Sequence, residues 1–461
     1  MSESRLEELP EVRRRYKDRA LLVFGVFVYV ACFQWMYIHY LYPVFGYYGF
    51  DLNPPSAGYL LLAWVLSLLP SLWMPIGLSR ASLLAYWILY FTVLIPSMFV
   101  PVYAGISSPP EIAGLMVTLF AGFSIVGIAY RLPLLNIQPA RIGRSRFWIG
   151  FGMLAGFLSL WVMVVFRKNV QLLSFLDIYD LRFAADTMME GTRLNYAFMW
   201  LSGALNPFLM GWGLYHKRAW IFIVGALGQL LVYTSLGTKG SIASVLFIPA
   251  LYLILRGSRR RFALKIAWSI VALFVLLCFS GVTAGKEPGP LQWIVLFVVF
   301  MRTFGLNGLL TAQYYDFFQR NPQTYYSHVT GVNWFLHYPY SDPLGIEVGS
   351  FYSGDSTLDA SAHFWAMDGL ASLGLLGVLL ISIFCVLVFW TLDSVARRHD
   401  PRLAALVTSY AAYNLANISI FTSLLSGGLA LLILLLYLLP CENSEVSALT
   451  HHYQASLKQA T

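Results

Sequence analysis

From Ala20 to Tyr42 the chain runs through apolar and aromatic residues without one Asp, Glu, Lys or Arg. A run of that length is what a hydrocarbon slab about 30 Å thick demands of a helix that crosses it. It is too long for the apolar core of a cleaved signal and no small-residue cleavage site follows, so it reads as a first spanning helix. Comparable runs occupy 58–77, 82–101, 113–130, 147–166, 196–215, 219–236, 241–255, 264–282, 366–391, 403–419 and 425–440. Together they predict an all-α polytopic membrane protein of about twelve transmembrane helices, because only helices satisfy their own backbone in lipid. Composition agrees: 58% of the residues are hydrophobic and 11% charged, a balance foreign to soluble domains.

Basic residues give this pattern a direction. With the amino terminus in the cytoplasm, "RRRYKDR" (13–19), Arg80, "RIGRSR" (141–146), "HKR" (216–218), "RGSRRRFALK" (256–265) and "RRHDPR" (397–402) all fall on the cytoplasmic side. Arg167, Lys168, Arg182, Arg193, Lys239, Lys286, Arg302 and Arg320 are left outside. That asymmetry orients the chain with both termini cytoplasmic. The expected organisation is a cytoplasmic segment 1–19, a single transmembrane domain over 20–440 with outer loops 167–195 and 283–365, and a cytoplasmic tail 441–461. The net charge of +8 then follows from sidedness and contact with anionic lipid, and gives no reason to expect nucleic acid as a partner.

One apolar segment resists this scheme. "LFVVFMRTFGLNGLLTAQYY" (296–315) carries Arg302 near its middle and Gly305 and Gly308 just after. A cation in hydrocarbon costs several kcal/mol, so an intramembrane arginine is a suspected functional residue. If the segment crossed, every later loop would change sides and "RRHDPR" would face outward. Residues 291–312 are therefore expected as a re-entrant or surface-lying helix in the long outer loop, with Arg302 in an outward-facing cavity.

The other outer residues invite both plain and functional readings. Loop 167–195 has the makings of an amphipathic surface helix, on which Arg182 and Arg193 stand eleven residues apart, near three turns. An ion pair from Arg182 to Asp186 and a snorkelling Arg193 are the plain alternatives. "LGTKGSIAS" (236–244) sets Lys239 between glycines, as a solvated turn or a close anion contact. The mix of aromatic and polar residues in and around the 283–365 loop suits sugar stacking as well as an interfacial belt; Tyr314, Tyr315, Tyr326, Trp334, Tyr338 and Asp368 are the candidates. Three histidines, His328, His337 and His363, lie in this loop, and His363 stands near Asp359 and Asp368, as a base oriented by a carboxylate would. Cys32, Cys278, Cys385 and Cys441 have neither disulfide nor metal-ligand spacing, and the outer loops lack an Asp-x-Asp pair, so no metal or cofactor is expected.

In order along the chain, "DIYDLRF" (177–183), "GTKGS" (237–241), "MRTFG" (301–305), "QYYDFF" (313–318) and "SAHFWAMDGLASLGLLG" (361–377) resemble the O-antigen polymerase group, the Wzy-type oligosaccharide repeat unit polymerases. The resemblance covers roughly 170–392. It implies a metal-independent, multi-pass glycosyltransferase of the bacterial inner membrane, joining polyprenyl-diphosphate-linked oligosaccharides on its outer face. Donor and acceptor are both lipid-linked, polyprenyl diphosphate is released, and a chain-length regulator is a candidate partner. Carried over to this chain, Arg182 and Arg302 would hold the diphosphate with Lys239 and Arg193, and His363 with Arg302 would be catalytic. The chain departs from the family at Lys239, where relatives often carry arginine, and at Ser361–Ala362, where they often read Asn-Ala. An O-antigen-type ligase, or a lipid-linked oligosaccharide flippase or other transporter, is the alternative reading.

Overall fold

The computed structural model describes residues 3–167, 194–278 and 289–440. Every regular element among them is a helix. Eight are long and apolar enough to cross a membrane: Arg13–Tyr48, Leu83–Ala104, Pro109–Arg131, Arg144–Phe166, Ala219–Leu236, Leu296–Arg320, Trp365–Ala396 and Ile420–Leu438. A ninth is reached if Lys239–Leu255 and Arg259–Leu276, bent by 115° at their junction, make one broken span.

The shortfall from about twelve has local causes. The run 58–77 yields only the shorter helix Ala57–Trp73, which stops ahead of Pro75. The runs 241–255 and 264–282 become the bent pair. The run 403–419 breaks into Pro401–Val407 and Ser409–Asn414, each too short to span. The stretch 194–215 is helical throughout, but Asn206, Pro207 and several glycines dilute its apolar content.

Across 291–312, expected as a re-entrant or surface-lying helix, Pro290–Val295, Leu296–Gly305 and Leu306–Arg320 follow one another as a continuous helix, and Leu296–Arg320 is long and apolar enough to cross a membrane. Leu296–Gly305 is wound as a π-helix: Thr303 donates from its hydroxyl to the Val298 carbonyl (2.8 Å) and Leu306 N–H to the Met301 carbonyl, each five residues back. Beyond it, Asn307 to Phe318 are all buried, so the polar groups there face protein instead of lipid. The glycines make this enclosure possible. A Cβ on Gly308 would lie 2.5 Å from the Pro96 carbonyl oxygen, so only hydrogen fits between this helix and Leu83–Ala104. Two polar bonds lock the contact, Asn307 Nδ2 to the Thr92 carbonyl (2.9 Å) and the Ser97–Thr311 hydroxyl pair (2.9 Å).

The chain falls into two compact units. The first takes Met1–Leu132, Ile254–Trp390 and Ala412–Ser423. In it Tyr29 is fully buried, donating to the Phe91 carbonyl (2.6 Å) and set edge-on to Phe91 and Phe274. Arg19 and Arg80 donate to the carbonyls of Ser71 and Met74, and of Ala129 and Leu132, where helices end and carbonyls lack partners. The second unit takes Pro133–Leu253, Thr391–Ala411 and Leu424–Thr461. There the 194–215 helix lies close against Ala219–Leu236 through Gly213 and Gly225.

One long helix of the first unit is interrupted. Within Trp365–Ala396, Leu373 (φ −145°, ψ 24°) and Gly374 (φ 58°, ψ −138°) leave helical geometry. The dihedrals of Gly374 are open to glycine and strained for any residue with a Cβ. Gly374→Ala is expected to destabilise the fold by about 1–3 kcal/mol, read as a lowered thermal midpoint in detergent. An unchanged midpoint would mean the break does not need that conformation.

Candidate active site

The break in Trp365–Ala396 leaves backbone carbonyls short of helical donors, and the preceding loop supplies them. Thr324 donates its N–H to the Ala371 carbonyl (2.8 Å) and Tyr325 its N–H to the Ser372 carbonyl (3.2 Å). Reaching them puts two consecutive residues with side chains, Tyr325 (φ 50°) and Tyr326 (φ 65°), in the left-handed region. Such strain persists only where the surroundings hold it, and it is concentrated at functional sites.

Asp368 supplies that hold. It lies on the π-wound turn Trp365–Leu370, fully buried, and its carboxylate gathers three segments. Oδ1 accepts from the Ser419 hydroxyl (2.6 Å) and from His328 Nε2 (3.2 Å); Oδ2 accepts from the Ile420 N–H (2.7 Å). A carboxylate only accepts, so this bond places the proton of His328 on Nε2. Nδ1 is then the acceptor nitrogen, 3.0 Å from the Thr324 hydroxyl. The His328 side chain keeps 10% of its surface open, whereas that of Asp368 has none. Tyr326 stands beside this pair, 6.4 Å from the His328 ring and edge-on to Phe421 at 6.1 Å. The arrangement is a buried carboxylate orienting an imidazole whose other nitrogen faces a hydroxyl, the geometry of a general base with its orienting group.

Arg302 lies on the π-wound stretch Leu296–Gly305. It is exposed, its guanidinium lies 5.5 Å from the Phe297 ring centroid, and among the described residues no carboxylate pairs with it. The segment Ala412–Ser423, whose Ser419 and Ile420 hold Asp368, belongs to the same compact unit as Arg302.

His363 does not take the part expected of it. It is fully buried, its Nε2 is 2.8 Å from the Thr311 hydroxyl, and its Nδ1 has no partner among the described residues. Neither nearby acid orients it: Asp359 accepts from Ser361 N–H (2.9 Å) and hydroxyl (2.7 Å), and Asp368 is held by His328 and its partners. Burial pushes the His363 imidazole down to about 3, only partly offset by a backbone bond at Asn307, which makes it a weak base without solvent access. The base candidate passes to His328.

The remaining candidates divide by exposure. Tyr314 is wholly buried with its hydroxyl donating to the Ala360 carbonyl (3.1 Å), and Tyr315 is buried too, so neither offers a face to a sugar. Asp368 is likewise internal. Tyr326 and Tyr338 are half-buried, the latter donating to the Asp342 carbonyl (2.9 Å), and Trp334 is 79% exposed. Lys239 opens the helix Lys239–Leu255 in the second unit, half-buried, just after Gly237 ends Ala219–Leu236 and next to the Thr238–Ser241 hydroxyl pair (2.6 Å). Arg182 and Arg193 lie outside the described residues. Arg320 is committed to Asp316 (2.7 Å), which also accepts from Tyr352 (2.7 Å). Among the described residues no group of His, Cys, Asp and Glu is arranged to hold a metal.

Sequence reasoning named His328 but did not choose it. Its four-residue spacing from Thr324 was the only local sign; Asp368 is forty positions away and Ser419 farther still. Comparison with known proteins adds nothing to the geometry: no protein-family model, no curated protein and no solved structure matches this chain.

Proposed function

We propose that this chain is a polysaccharide polymerase of the bacterial inner membrane, a glycosyltransferase that joins polyprenyl-diphosphate-linked oligosaccharide repeat units on the outer face. One observation carries this reading: a buried carboxylate, Asp368, orients His328 through Nε2 while the other ring nitrogen faces a hydroxyl, in the same compact unit as an exposed arginine with no carboxylate partner among the described residues. Transfer of a glycan from a lipid diphosphate needs a cation where charge develops on the leaving group and a base at the attacking hydroxyl. Arg302 fits the first part and His328 the second. The acceptor sugar hydroxyl would take the place of the Thr324 hydroxyl at Nδ1 and give up its proton there. The new glycosidic bond forms as the bond to the donor's diphosphate breaks, and polyprenyl diphosphate departs with its charge beside Arg302. Asp368 stabilises the imidazolium that results. The half-buried Tyr326 ring, next to His328, is suited to stacking on the acceptor sugar.

The reading is tested with the purified protein, polyprenyl-diphosphate oligosaccharide and a gel of the extracted glycan. Arg302→Ala is expected to slow polymer formation about 10²–10³-fold. His328→Asn is expected to slow it about 10²–10⁴-fold. Both variants should insert and purify like the parent. A normal ladder from either would remove that residue from the chemistry. In cells, loss of a polymerase leaves single repeat units on the acceptor; long chains stranded on the lipid carrier would instead mark a ligase.

A further inference from the structure

The loop between Leu296–Arg320 and Trp365–Ala396 has an apolar tip. Trp334 is 79% exposed, Phe335 86% and Leu336 44%, three consecutive large side chains directed away from the fold. Isolated exposed apolar residues are ordinary, but three in a row on a well-formed turn are not. The turn is well formed: Val329 N–H bonds Tyr326, Val332 and Asn333 bond Val329, and Phe335 and Leu336 bond the Val332 carbonyl, all at 3.0–3.2 Å. Gly331, at φ 101°, is pinned from its N–H to the Asn333 side chain (3.1 Å).

The anchors of this loop show which surroundings the tip meets. Thr324 and Tyr325 are bonded to Ala371 and Ser372, just past the π-wound turn Trp365–Leu370 that opens this span. Tyr326 packs on Phe421, in the first turn of Ile420–Leu438. On the returning side, Tyr340 donates to the Pro322 carbonyl (2.5 Å) and packs against Phe317 and Phe318. The helix Leu344–Ser353 lies alongside the same end, with Phe351 edge-on to Phe317 at 5.2 Å. The loop is thus drawn down among the ends of three apolar helices. Side chains left open at that level meet the boundary between headgroups and acyl chains, where tryptophan and phenylalanine are favoured.

We propose that Trp334, Phe335 and Leu336 form a finger that inserts into the headgroup–acyl boundary of the bilayer crossed by these helices, fixing the His328 loop at the membrane surface. The occupant is the lipid itself, not glycan and not a second copy of the chain. The proposal rests on the flanking helices crossing a membrane and is independent of the chemistry proposed above.

The test is fluorescence in vesicles of phosphatidylcholine, plain or brominated on the acyl chains. Parent and Trp334→Phe are compared, so that their difference isolates Trp334. Blue-shifted difference emission, largely quenched by brominated lipid and little affected by aqueous acrylamide, is the expected result. Emission like that of water-exposed tryptophan, quenched by acrylamide and not by bromine, would overturn it. So would protection from acrylamide that arises only on adding glycan or only on raising protein concentration. Should Trp334→Phe fail to fold, a nitroxide on Phe335→Cys gives the same answer, with collisions favouring dissolved oxygen over an aqueous nickel chelate. No turnover enters either readout, so an inactive protein with a buried finger and an active protein with a wet one are distinct outcomes.

Discussion

Asp368→Ala is expected to dismantle the candidate site and to destabilise the fold around it by about 3–5 kcal/mol. The substitution leaves the Ile420 N–H, the Ser419 hydroxyl and His328 Nε2 facing a void where a carboxylate stood. Removing one member of a buried, hydrogen-bonded charged group costs about 3–5 kcal/mol, because its partners stay desolvated and unpaired. A thermal midpoint well below that of the parent is expected, measured by size-exclusion chromatography after heating in detergent. Asp368→Asn, which keeps the shape and an acceptor oxygen, should fall between the two in stability and lose polymer formation, since an amide orients the imidazole poorly. His328→Asn should melt between the parent and Asp368→Ala, because the buried carboxylate loses one donor but keeps the Ser419 hydroxyl and the Ile420 N–H. If Asp368→Ala melted like the parent, the carboxylate would not be what joins these three segments.

Gly308→Ala is the second large effect. The added methyl carbon would stand 2.5 Å from the Pro96 carbonyl oxygen, and a backbone atom cannot rotate aside as a side chain can. Overpacking of this kind costs about 1–3 kcal/mol or more. The built-in control is Gly305→Ala, whose Cβ would meet Leu41 Cδ1 at 2.7 Å, the movable end of a side chain, with the Phe300 carbonyl next at 3.3 Å. Gly308→Ala should therefore lower the thermal midpoint clearly more than Gly305→Ala. Equal shifts would mean the helix slides to relieve both contacts.

Several spans were legible nearly to the residue: Ala219–Leu236 has the expected bounds, and Arg144–Phe166 starts and ends within three residues of the expected 147–166. Residues 291–312 were set apart from the spans because their crossing would turn "RRHDPR" outward, and Leu296–Arg320 is nonetheless long and apolar enough to cross. A helix enclosed by protein obeys different rules: Asn307 and Thr311 are hydrogen-bonded to neighbouring helices, and the glycines are close-contact points. A carboxylate-oriented histidine was expected, and proximity in sequence favoured His363, whose neighbouring acids serve Ser361 and His328 instead. Asp368 and Ser419 meet only through tertiary folding, and no spacing announces such a meeting.

The π-wound stretch Leu296–Gly305 has a consequence for how this chain can change over time. In i→i+5 winding each turn holds an extra residue compared with the α-form, and such turns are weak points that a chain keeps for a reason. Dropping one residue from the stretch would return that turn to α-winding and leave the helix on either side facing as before, because the wider turn is what takes up the extra residue. Dropping one from the α-wound Leu306–Arg320 would instead rotate everything beyond it by about 100°, one residue's share of an α-turn. The π-wound stretch is where the count of residues can change; beyond it only substitutions can drift.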